Sequence, residues 1–97
     1  MLKRKPTRPG EILLEEFMKP LNLTQKVLAQ HINVDVKTIN RLINGKTHLT
    51  ATMALKLAHT FKTSPEFWLN AQNAVDLHEA IQELSVLPEV ICEMQVA

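Results

Sequence analysis

Apolar residues in this chain recur at helical rather than strand spacing. Leu13 and Phe17 lie four apart, as do Leu14 and Met18, which places an apolar stripe along one helix face. Pro9-Gly10-Glu11 opens that helix, because proline suits the first helical position and an acid favours the positive end of the helix dipole. Pro20 ends or kinks it. Thr24 is the N-cap of a second helix from Gln25 to Ile32, with Leu28, Ala29 and Ile32 on one face. Asn33 sits where this helix must stop, and asparagine tolerates the left-handed conformation better than other non-glycine residues. Asp35 caps a third helix that buries Ile39, Leu42 and Ile43 and turns Lys37, Thr38, Asn40, Arg41 and Asn44 to its other faces. Asn44-Gly45 is a strong stop. Thr50 opens a fourth helix, with Ala54, Leu55, Ala58 and Phe61 predicted to face inward. Ser64-Pro65-Glu66 starts a fifth, which runs to about Glu83. The block Phe67-Trp68-Leu69 predicts burial on more than one face there, with Trp68 in the core. Val86-Leu87 and Val90-Ile91 favour a short strand, broken by Pro88. The expected class is all-α, five helices, with at most a short C-terminal strand.

Ninety-seven residues make one domain. The pattern divides them into a loose basic lead (1–8), a helical domain (9–83) and an apolar, acidic tail (84–97). An apolar content of 45% with 22% charged residues excludes a disordered chain. No apolar run exceeds three residues, so neither a membrane span nor a signal peptide is expected. The single cysteine, Cys92, has no internal disulfide partner and is expected to be a bystander in reducing cytoplasm. The net charge of +1 conceals a division. Residues 1–62 hold all eleven Lys and Arg against four acids, and residues 63–97 hold six acids and no Lys or Arg. A basic front joined to an acidic back points to a polyanion on one side and a different partner on the other.

Catalysis needs convergent polar groups, and the sequence offers none in a recognisable pattern. The four histidines (His31, His48, His59 and His78) share no metal-ligand spacing, and there is no phosphate-binding glycine loop or nucleophile elbow. Glu15 and Glu16 are adjacent and so point to different faces. No enzyme, cofactor or metal centre is expected.

The informative segment is 24–44. Two short helices joined by Asn33-Val34-Asp35 have the helix-turn-helix layout, in which the second helix enters the DNA major groove. The small Ala29 permits close crossing and Ile39 locks the pair together. Lys37 with Arg41, and Asn40 with Asn44, stand four apart on the exposed side of the third helix. Arginine can bond guanine O6 and N7, and asparagine adenine N6 and N7. Thr24 and Gln25 begin the second helix, where free N–H groups favour a phosphate, and Lys46 and His48 follow the third helix, within reach of the backbone. The expected DNA-binding residues are Thr24, Gln25, Val36, Lys37, Thr38, Asn40, Arg41, Asn44 and Lys46. A helical hairpin that meets only proteins is the alternative reading of the same pattern.

Several blocks resemble the HigA-type antitoxins, helix-turn-helix proteins of the XRE group also called plasmid-maintenance antidote or virulence-associated protein I. They are Pro9-Gly10-Glu11-Ile12-Leu13, Glu15-Glu16-Phe17, Pro20-Leu21, Leu23-Thr24-Gln25, Asn44-Gly45-Lys46, Leu49-Thr50 and, most specifically, Thr63-Ser64-Pro65-Glu66-Phe67-Trp68-Leu69-Asn70 followed by Gln72 and Asp76-Leu77. The likeness covers about residues 8–80. Asn33 stands where the family often has glycine, and the stretch after Glu83 matches no family pattern. The resemblance implies a lambda-repressor-like fold and the antitoxin of a type II toxin–antitoxin pair. It further implies a homodimer that represses its own operon through palindromic operator DNA and neutralises a ribosome-dependent mRNA-cleaving toxin. Some members stand alone as regulators.

Overall fold

The computed structural model describes residues 5–91, so Lys3, Arg4, Cys92 and Glu93, and what the sequence predicts for them, lie outside the described residues. The order is α1 (Pro9–Ile12), a π-helical turn (Leu13–Met18), α2 (Gln25–Ile32), α3 (Val36–Ile43), α4 (Ala51–Phe61) and α5 (Pro65–Glu83). Four of these starts are fixed by side-chain caps. Thr24 Oγ1 accepts from the Val27 N–H (3.1 Å), Asp35 Oδ1 from Lys37 (2.8 Å), Thr50 Oγ1 from Met53 (3.2 Å) and Ser64 Oγ from Phe67 (3.0 Å). Each satisfies an N–H that the first helical turn leaves without a partner. Asn33 closes α2 in the left-handed region (φ 59°), as its chemistry predicts, and Lys62 closes α4 in the same way (φ 57°).

The first helix departs from a plain α-helix. The Lys19 N–H reaches the Leu14 carbonyl, five residues back, at 2.9 Å. Pro20 has no N–H to continue the ladder and its ring crowds the carbonyl four residues earlier, so the helix widens and stops. The chain then turns through Asn22 (φ 54°).

The core is one cluster. Trp68, Leu13, Met18, Leu28, Ile39 and Leu57 are its largest fully buried side chains. Around Trp68 the aromatic rings interlock. Phe17 lies 4.9 Å from Phe61 and 5.3 Å from Trp68, and Phe67 meets Trp68 edge-on at 5.1 Å. Trp68 Nε1 donates to Thr63 Oγ1 at 2.7 Å, which satisfies the buried indole N–H. Gln72 is a buried polar residue. Its Oε1 accepts from the Leu49 N–H (2.8 Å) and its Nε2 donates to Asp76 Oδ1 (3.0 Å), tying the α3–α4 loop to α5. At Gly10, a Cβ would collide with the Leu42 carbonyl and approach Ile43 Cα at 2.8 Å, so α1 packs on the backbone of α3.

Four sequence expectations need correction. Leu55 is exposed, not inward, because α4 buries Met53, Ala54, Leu57 and Ala58 and Leu55 falls on the opposite face. Phe67 is partly exposed, its ring edge-on to Trp68, although Trp68 beside it is sealed. Residues 84–91 form neither helix nor strand; Val86, Leu87, Val90 and Ile91 point to solvent with no strand beside them among the described residues. The lead is not wholly loose, because Arg8 lies across Gly45.

Candidate nucleic-acid interface

The site follows from how α3 is seated. Ile39, Leu42 and Ile43 are driven into the core. With 3.6 residues per turn, Lys37, Asn40, Arg41 and Asn44 then share the opposite face, and all four are exposed. No acid stands between Val36 and Asn44. Ile39 and Ala29 are buried where α3 crosses α2.

A ladder of polar side chains crosses this face. Asn40 Nδ2 donates to Gln25 Oε1 at 3.2 Å, joining α3 to the first residue of α2. Asn44 Nδ2 donates to the Asn40 carbonyl (2.9 Å) and to Asn40 Oδ1 (3.2 Å). The Asn40 amide is thus held on both sides, while the side chains of Lys37 and Arg41 make no hydrogen bond or ion pair among the described residues. Thr24 uses its oxygen as an acceptor in the cap, and its O–H remains free to donate. Val36 is a half-exposed apolar contact at the start of α3 and Thr38 is half-buried on its flank.

The loop after α3 extends the face. Gly45 is left-handed (φ 70°), and a Cβ there would meet the Arg8 guanidinium at 2.7 Å. Arg8 is therefore seated against the loop after α3, in a hollow it shares with Gly45, Thr47, His48 and Glu79, a neighbourhood the sequence did not reveal because 36 residues lie between Arg8 and Gly45. Arg8 Nε is buried without a hydrogen-bond partner. His48 turns the other way, with Nε2 3.6 Å from Asp76 Oδ1. His48, Asp76 and Glu79 bring ligand atoms within 4.8 Å of one another at the surface. No helix of the described residues is long and apolar enough to cross a membrane.

The sequence profile of the helix-turn-helix family matches residues 14–68. Antitoxin HigA-1 of Vibrio cholerae is 49% identical over 77% of this chain and 70% of its own length. A helix-turn-helix transcriptional regulator of Haemophilus influenzae is 49% identical over 79% of this chain and 72% of its own. Antitoxin HigA of Pseudomonas aeruginosa, solved with the higBA promoter, superposes with a TM-score of 0.78 at 31% identity, covering 88% of this chain and 99% of that one.

Proposed function

The chain belongs to the helix-turn-helix family, in its HigA-type antitoxin group, and on that premise we propose that it binds operator DNA through α3, represses its own operon and neutralises an mRNA-cleaving toxin. The observation that carries this reading is the acid-free face of α3, with Lys37 and Arg41 unpaired. Arg41 reads a base edge, Gln25 and Asn40 hold α2 and α3 in register, and Thr24 and Lys46 take phosphates. The Pseudomonas relative, solved with the higBA promoter, supports promoter DNA as the partner.

A single helix-turn-helix unit makes few base contacts, and dimers span half-sites about 34 Å apart. This chain is a homodimer in the proposed reading, with α5 and the tail from Leu84 supplying the contact. Leu77, Ile81, Leu84, Val86, Leu87, Val90 and Ile91 are exposed there, an apolar surface that a monomer would not leave open. The acids of residues 63–97 keep this half away from phosphates and suit a toxin that presents a basic surface to RNA. The Haemophilus relative, named only as a regulator, favours a second reading in which the same fold represses without a toxin. Co-purification with the product of the adjacent gene, followed by an operator footprint, tests both. A stable complex and a protected palindrome are expected; a footprint without a complex selects the regulator alone, and neither result would leave the reading unsupported.

A further inference from the structure

We infer that the hollow between α2 and α4 is the seat for the C-terminal tail of a second copy of this chain, a contact that rests on the homodimer reading and goes beyond it. Most of the exposed large apolar side chains fall into two sets. One is the α5–tail surface. The other is Leu21, Val27 and Leu55, exposed on the loop before α2, on α2 and on α4. Between these elements lie three hollows of about 200, 350 and 630 Å³. The first two share His31 and Thr60 and the last two share Leu55 and His59, so they form one continuous groove.

Charge selects the occupant. Lys56, Lys62, His31 and His59 line the groove, and no Asp or Glu does. Residues 84–97 carry Glu89 and Glu93, no Lys or Arg, and a run of apolar residues. Groove and tail are therefore complementary in both polarity and charge. Size also fits. Eight residues in extended form, as from Leu84 to Ile91, span about 26 Å, longer than α4, whose eleven residues rise about 16 Å. Among the described residues of one copy the two do not meet. None of residues 84–91 lines the groove, and the described molecule is 55 Å long against 26 and 21 Å across. Val27 stands about 200° and His31 about 240° around α2 from Gln25, so the groove opens away from the α3 face and tail docking leaves that face free.

The test uses the full chain with Cys92→Ser as background. Leu55→Cys and Leu87→Cys are placed on separate chains, and the two variants are mixed and treated with a mild oxidant. A band of doubled mass on a non-reducing gel is expected from the mixture and from neither variant alone. If sedimentation shows a dimer but the mixture gives no such band, the docking is wrong and the homodimer stands. A monomer in sedimentation overturns both. If both cysteines on one chain join at monomer mass, the tail folds onto its own domain and the inference fails. Leu55→Glu supplies a second arm: it should weaken dimerisation by at least about tenfold, since a carboxylate would enter an apolar contact, with far-UV circular dichroism unchanged. Unchanged dimerisation in this variant also overturns the docking.

Discussion

The α3 face and the tail from Leu84 are both exposed, and they are exposed in opposite ways. On α3 every large apolar residue after Val36 is buried, and what faces solvent is a hydrogen-bonded polar ladder flanked by two unpaired cations. Along the tail the apolar residues face solvent, with Val90 95% exposed. The first surface is complete as folded and awaits a polyanion. In the proposed reading the second is covered by another copy of the chain. The difference teaches that sequence periodicity marks the first kind of surface, because burial and exposure alternate within one helix. It misleads for the second, whose apolar residues favour a short strand that the described residues do not form.

The largest effect comes from breaking what both regions share. Trp68→Ala should destabilise the domain by about 3–5 kcal/mol, because Trp68 is fully buried among Phe17 and Phe67 and bonded to Thr63. A thermal melt checks this, and an unchanged midpoint would mean the ring is dispensable. Gly10→Ala should cost about 1–3 kcal/mol by overpacking α1 against the α3 backbone, read by denaturant unfolding. Arg41→Ala sharpens the comparison on the DNA side. It should lose about 1–3 kcal/mol on the cognate operator and much less on random DNA, as fluorescence anisotropy would report. Equal losses would make Arg41 a phosphate contact. Thr24→Ala removes the α2 cap and should lower stability by about 1 kcal/mol. The smallest change in folding stability is expected from removing residues 84–97. The helical domain should keep its midpoint within about 0.5 kcal/mol, while sedimentation shows a weakened dimer and operator affinity falls. A truncated chain that stays dimeric would break the contrast drawn here.

Most of the fold was legible because caps and stripes agreed. Thr24, Asp35, Thr50 and Ser64 each cap the helix their sequence position announces, and Asn33 takes the left-handed turn. Leu55 misled because α4 is rich in apolar residues on several sides, so periodicity alone does not choose its inner face. Gly10 was legible only as part of a helix start. Its role, letting α1 touch the backbone of α3, depends on a residue 32 positions away. The site was legible on α3, where the polar residues are local. The seating of Arg8 against Gly45 and the hold of Gln25 on Asn40 were not, since both join residues distant in sequence through side-chain geometry.

The central claim is that the α3 face reads a specific DNA sequence. Its most direct test is the affinity of the full chain for the DNA upstream of its own gene, against a scrambled duplex, over a series of salt concentrations. The account predicts binding to the upstream DNA at least about a thousandfold tighter than to the scrambled duplex. It also predicts a linear fall of log affinity with log salt on both duplexes, and loss of most of the difference between them in Arg41→Ala. Equal affinity for the two duplexes, or a difference that Arg41→Ala leaves intact, would contradict it.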